Sequence, residues 1–184
     1  MAPEPSVRTT PSAANEWFTP GRFAGLLALL IFATFPEVVS GRGTFFHRDF
    51  ALFGYPLAYY HRECFWRGAL PLWTTLSDCG VPFLAQWNTL TLYPLSVVYL
   101  VLPLSWSLGI FCLGHLFLAG MGMYVLAYGW VGNRFAASVA GIGFVFSALM
   151  LNFLMWPNNM AGAGWMPWVV WTVERGYREG GAGS

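Results

Sequence analysis

Long apolar runs alternate with one dense polar stretch along this chain. Apolar residues dominate from Phe23 to Val39 and again from Thr89 to Val173, whereas Phe45 to Gly80 gathers charged, aromatic and turn-forming residues. From Cys79 to Asn133 there is no Asp, Glu, Lys or Arg. A soluble surface needs charged positions facing water, so this run predicts helices embedded in a bilayer. Proline and glycine punctuation divides the apolar sequence into five predicted spans: Phe23–Val39, Thr89–Trp106, Leu108–Trp130, Phe135–Trp156 and Ala161–Val173. The expected fold class is an all-α integral membrane protein with about five transmembrane helices and an external loop of short interfacial helices after the first.

Charge sets the expected orientation. Arg8 and Arg22 precede the first run, which places the N-terminus in the cytoplasm and residues 41–88 outside. Residues 1–21, rich in Pro, Ser, Thr and Ala, read as a disordered cytoplasmic tail without a cleavable signal. Residues 22–173 form the expected membrane domain, and residues 174–184 a tail or truncated end. Thr89–Trp106 admits a second reading. If it dips and returns, Arg134, Arg175 and Arg178 come inside, as the charge rule prefers.

Composition sharpens this picture. Hydrophobic residues make up 57% and charged residues 9%, against roughly 25% charged in soluble domains. The net charge of +1 leaves no basic footprint for nucleic acid. Cys64, Cys79 and Cys112 include no CxxC pair; free thiols packed beside aromatics are the favoured reading, and a Cys64–Cys79 bridge the alternative. His115, inside an apolar run with no second ligand at helical spacing, reads as a packed residue bonded to backbone.

The chemistry concentrates in the polar stretch. Asp49 lies among Phe45, Phe46 and Phe50, with His47 and Arg48 beside it. A carboxylate partly desolvated by aromatics is a stronger base, suited to activating a hydroxyl, whereas Arg48 keeps it ionised. It is equally a candidate oxygen ligand for a divalent metal ion, or a partner of Arg48 or Arg62 that merely fixes the loop. Phe50 to Gly68 reads as a short amphipathic helix on the membrane, with His61, Arg62, Glu63 and Arg67 on its polar side. Arg62 and Arg67 are candidates to clamp a phosphate, although snorkelling toward head groups is the commoner fate of such residues. Asp78, Gln86 and Asn88 follow in a loop, and Pro157-Asn158-Asn159 reads as a turn.

Taken in order, FFHRDF (Phe45 to Phe50), Tyr55-Pro56, RGALPLW (Arg67 to Trp73), CGVPFLAQ (Cys79 to Gln86), LYPL (Leu92 to Leu95), HLFLAGMGMY (His115 to Tyr124) and FAASVAGIGFVFSA (Phe135 to Ala148) are similar to the N-terminal part of YfhO-type bacterial membrane proteins. These belong to the membrane glycosyltransferases with the GT-C fold. The resemblance implies a first external loop carrying an Asp and short interfacial helices. It implies transfer of a sugar from a polyprenyl-phosphate carrier to an acceptor outside the cytoplasmic membrane. Asp49 falls at the position of the catalytic or metal-binding Asp, with Arg62 and Arg67 weaker candidates for the carrier's phosphate; Arg48 and His61 beside them are further candidate substrate-binding residues. The resemblance also implies that Thr89–Trp106 crosses the membrane. Such enzymes run to several hundred residues with many more spans, so this chain reads as a fragment that needs the remainder of a longer chain, or a membrane partner, for catalysis. The competing expectation is a non-catalytic scaffold or accessory subunit that binds lipid or a partner through its aromatic-rich loop.

Overall fold

The computed structural model describes residues 13–77 and 79–180, and nearly all its regular structure is helical. The helices are α1 (Ala13–Trp17), α2 (Pro20–Thr34), α3 (Pro36–Val39), α4 (Tyr55–Trp66), α5 (Val98–Val101), α6 (Leu104–Val131), α7 (Arg134–Val145), α8 (Ala148–Phe153) and α9 (Pro157–Gly180). A wide π turn at Phe50–Gly54 leads into α4, and a 3-10 turn at Pro94–Val97 leads into α5. A minimal antiparallel hairpin joins β1 (Trp73–Thr74) to β2 (Val81–Pro82).

Helix α6 is the axis on which the other long helices pack. Its 28 residues carry no charge and extend about 42 Å at 1.5 Å per residue. Pro103 stands at its start, and Gly132, at φ 65°, ends it in the left-handed conformation. α2 runs antiparallel to α6: the Phe23 ring stacks on Tyr124 at 4.6 Å, Leu27 meets Gly120, and Val38 beyond α2 meets Gly109. α7 is also antiparallel, with Gly141 at Gly120, whereas α9 runs parallel, setting Gly164 against His115 and Trp168 against Gly122. Residues 13–20 therefore sit at one end of α6, and residues 40–77 and 79–103 cap the other.

Close approach depends on two glycines. A Cβ at Gly141 would lie 2.6 Å from the Phe23 ring and 2.9 Å from the Gly120 carbonyl oxygen. A Cβ at Gly120 would lie 2.6 Å from both Leu27 and Val145. Three helices thus meet where neither α6 nor α7 carries a side chain, as small residues permit in close-packed helix pairs.

The expectation of about five membrane spans is overturned. Among the described residues α6 alone is long and apolar enough to cross a membrane, with a mean hydropathy of 1.9 over its best window. Each other run is cut short for an identifiable reason. Pro36 forces Phe35 out of helical geometry (φ −127°, ψ 52°) and ends α2 after 15 residues, or about 22 Å. Thr89–Trp106 holds only loop, the 3-10 turn and α5 before Pro103 interrupts it. Phe135–Trp156 breaks at Phe146, and Ser147 accepts a hydrogen bond from Met150 N at 3.3 Å to start α8 afresh. In α9 the apolar part ends at Val173, and charged residues follow within the same helix.

The tails also depart from expectation. Residues 1–12 lie outside the described part, but Ala13–Trp17 is helical rather than disordered, and the Asn15 Oδ1 accepts a 2.6 Å hydrogen bond from Arg134 N at the start of α7. The expected tail from residue 174 is instead the last turns of α9, where Arg178 pairs with Glu174 at 2.5 Å and Arg175 with Glu179 at 2.6 Å. These exposed i,i+4 pairs extend the helix with little energetic weight. Cys64, Cys79 and Cys112 are free.

Replacing Gly141 by Ala is expected to destabilise the protein by about 1–3 kcal/mol through overpacking, because backbone as well as side chain must move. Gly114→Ala, where nothing lies within 4 Å, is expected to be neutral or stabilising by up to about 1 kcal/mol. Thermal unfolding of the two variants in detergent or nanodiscs checks the contrast; equal behaviour would remove Gly141 from its packing role.

Candidate functional site

The polar stretch folds into the cap over the N-terminal end of α6. Its central element, α4, starts at Tyr55 with Pro56 in its first turn, where a missing N–H costs nothing. It stops at Gly68, whose φ of 69° lets Ala69 N reach back to the Cys64 carbonyl at 2.9 Å. Ala58 and His61 turn inward; His61 packs on Phe65 and, edge to face, on Tyr99 of α5.

Asp49 is half-buried at the entrance to the π turn and lines a small cavity of about 40 Å³. Around it stand Tyr99, Trp87, Asn88, Trp156 and Asn158. The cavity therefore joins four segments that are remote in sequence: the start of the loop, its end, α5 and the first turn of α9. Among the described residues Asp49 forms no ion pair, neither with Arg48 nor with Arg62. The N-terminus of α9 opens on the same cavity.

Two non-glycine residues with left-handed backbone flank this cavity, Arg48 at φ 46° and Leu90 at φ 53°. Such conformations cost on the order of 1–3 kcal/mol and cluster where a site dictates the backbone. A polar atom is also left over: among the described residues, Asn88 Oδ1 is buried without a hydrogen-bond partner. Unsatisfied buried acceptors are rare and mark places where something else supplies a donor.

The remaining candidates do not converge on Asp49. Arg48 is exposed beside it. Arg62 turns back over the Trp66 ring at 3.9 Å and donates from Nη1 to the Leu102 carbonyl at 3.3 Å. Arg67 is exposed and pairs with Glu63 at 3.2 Å. Arg62 and Arg67 thus point to different partners and form no joint phosphate clamp. His61, expected on the polar outer side, is 2% exposed instead, because it falls on the inward stripe with Ala58 and Phe65.

The metal expectation fares no better. Among the described residues no three His, Cys, Asp or Glu side chains gather to hold a metal ion. Among the described residues, Asp49 shares the cavity with the amides of Asn88 and Asn158 and with Thr89 and Tyr99, but with no second carboxylate, a donor set of low charge for a divalent cation. Asp78 lies outside the described residues.

Asn88, Asn158 and the two tryptophans are the members of the site that sequence reasoning passed over. Their signal was present: uncharged amides and aromatics sit immediately outside the apolar runs, where Pro157-Asn158-Asn159 looked like a turn. A second polar cluster ties this region to the bundle. Tyr93 Oη bonds His115 Nε2 at 2.6 Å and accepts from Trp165 Nε1 at 2.6 Å, while His115 Nδ1 reaches the Phe111 carbonyl at 2.7 Å. His115 is accordingly a packed residue that anchors the segment following Asn88.

No family model matches the chain, and no curated protein or solved structure matches it.

Burial pushes the His61 imidazole below its usual range, since the charged form loses hydration. A histidine whose folded pKa is depressed contributes stability that is present above about pH 6.5 and is lost as pH falls through the folded value. Stability of the cap is therefore expected to decline as pH drops from 6.5 toward 5, and His61→Phe to flatten that decline. Amide hydrogen exchange in α4 across this range is the check; an unchanged slope in His61→Phe would assign the pH dependence elsewhere.

Proposed function

We propose that this protein is the N-terminal module of a membrane glycosyltransferase-like protein of the YfhO type, with its acceptor chemistry at Asp49. The supporting observation is the cavity itself. Among the described residues Asp49 forms no ion pair, and it shares with two amides and four aromatic rings a space of about 40 Å³, room for an acceptor hydroxyl beside the carboxylate. In this reading α6 crosses the bacterial cytoplasmic membrane. The N-terminus and the cap lie at opposite ends of α6, so a cytoplasmic N-terminus, favoured by Arg8 and Arg22, puts Asp49 on the outer side. Exposed apolar side chains on the outer faces of α2, α7 and α9, such as Leu29, Phe32, Val139, Val169 and Val170, suit hydrocarbon or further helices rather than water.

The reaction balances without a metal. Asp49 takes the proton from an acceptor hydroxyl as that oxygen bonds to the anomeric carbon of the donor sugar. The bond from that carbon to the phosphate oxygen breaks, and polyprenyl phosphate leaves with the electron pair. Arg48, exposed beside Asp49, is the cation available to the phosphate, because Arg62 and Arg67 are engaged elsewhere. Groups beyond these residues complete the donor site.

A scaffold role is the second reading, favoured by the exposure of Trp66, Leu70, Leu72, Trp73 and Leu76 on the cap. It requires no chemistry at Asp49.

In the full-length protein, Asp49→Asn is expected to lower sugar transfer from a polyprenyl-phosphate donor by about 100-fold or more, the usual contribution of a general base, without loss of membrane insertion. Transfer that survives the change would dismiss Asp49 as the base and leave the scaffold reading standing.

A further inference from the structure

Beyond Asp49 the cap holds a larger cup of about 400 Å³, between α4 and the β1–β2 hairpin. Its volume lies within the range of small-molecule sites, roughly 300–1,000 Å³. Tyr60 and Phe83 are among its walls, their rings 4.8 Å apart and tilted by 58°. Thr74, Ser77, Gln86 and Asn88 add hydroxyl and amide groups, and among the described residues none lining the cup is charged. The Tyr60 hydroxyl is fixed by donation to the Trp73 carbonyl at 2.7 Å, and the Thr74 hydroxyl accepts from Leu76 N at 3.2 Å. The wall is therefore built rather than loose.

The cup and the Asp49 cavity share Phe53, Leu57 and Asn88. Asn88 stands at the junction, and its buried Oδ1 lacks a donor. That oxygen is closed to solvent, so a ligand in the cup meets the remaining, partly exposed atoms of Asn88. Ionic ligands find no counter-charge here, whereas a fully apolar ligand would strand the amides of Gln86 and Asn88.

We infer that the cup is a binding subsite for a neutral pyranoside, the sugar of the acceptor, whose hydroxyl is presented past Asn88 to Asp49. This rests on the glycosyltransferase reading for its role, but not for its binding. Aromatic faces suit the C–H face of the ring, and amides and hydroxyls suit its equatorial oxygens. Asn88 is a positioning residue in this scheme, since Asp49 alone takes the proton.

The test is a titration of the full chain in nanodiscs with methyl pyranosides of glucose, galactose, mannose and N-acetylglucosamine, with glucuronate as the anionic control, followed by saturation-transfer NMR. At least one neutral pyranoside is expected to bind while glucuronate does not. Asn88→Leu is expected to weaken that binding at least about tenfold and Gln86→Ala about fivefold, the loss of one or two hydrogen bonds. Gln86→Ala leaves the buried core untouched and so keeps the test sound if Asn88→Leu unfolds. Absence of binding by every neutral pyranoside, or equal binding by wild type and both variants, would overturn the subsite. Loss of transfer in Asp49→Asn together with absent pyranoside binding would sink only the subsite. Pyranoside binding that depends on Asn88, with transfer intact in Asp49→Asn, would uphold the subsite and sink the catalytic role of Asp49.

Discussion

Everything in this fold is arranged around the contact at which α2, α6 and α7 come together over Gly120 and Gly141. Phe23 and Leu27 enter a space that any side chain on those two positions would fill. Because α6 is apolar around most of its circumference, it has no preferred solvent face, and the helices beside it are placed by shape rather than by an amphipathic stripe. Dispersion over many close contacts then does what an amphipathic stripe does in soluble bundles. The registry of that contact fixes which end of α6 receives the cap.

The cap is held by a different device. Proline breaks and helix ends leave carbonyl oxygens without helical donors, and each must find one elsewhere. Aromatic and guanidinium N–H groups supply them. Trp106 Nε1 donates to the carbonyls of Val38 and Val39 at the end of α3, at 3.0 and 3.2 Å. Arg62 answers the Leu102 carbonyl ahead of Pro103, and the Tyr55 hydroxyl adds a 2.9 Å bond to the Ser105 carbonyl within the first turn of α6. The tryptophans and tyrosines that looked like membrane-interface anchors are thus in part structural donors. Nothing in their spacing along the sequence distinguishes the two roles.

Much of this was legible in the chain itself. The uncharged run marked α6 and Gly68 marked the end of α4, while small residues such as Gly114, Gly120, Gly141 and Gly143 recur along α6 and α7. Among those, Gly120 and Gly141 proved essential to the approach, while Gly114 and Gly143 have open space around them; only the three-dimensional phase of the helices separates them. The number of spans was misread because apolar composition continues smoothly through Pro36, Pro103 and Ser147, where the backbone does not. His61 was misplaced for a related reason. A histidine next to two charged residues reads as polar surface, yet the helical period sets it beside Ala58 and Phe65. Asp49 stood out from its aromatic neighbours, but its companions Asn88 and Asn158 come from distant segments that only the fold brings together.

The electrostatics of the cap narrow what it can recognise. Had Arg62 and Arg67 converged near Asp49, the natural occupant would be a phosphate, and the carboxylate would be its repelled neighbour. Instead each guanidinium is occupied, one by a ring and a carbonyl, the other by Glu63. Among the described residues Asp49 has no paired cation. A carboxylate left that way keeps its lone pairs free to accept a proton from a hydroxyl, because no guanidinium fork occupies them. The same arrangement disfavours an anionic ligand beside it, since like charges within a few ångströms in a partly dry site cost several kcal/mol. In the proposed reading, the part of the cap that surrounds Asp49 serves neutral, hydroxyl-bearing chemistry, and a phosphate approaches from the exposed side where Arg48 stands.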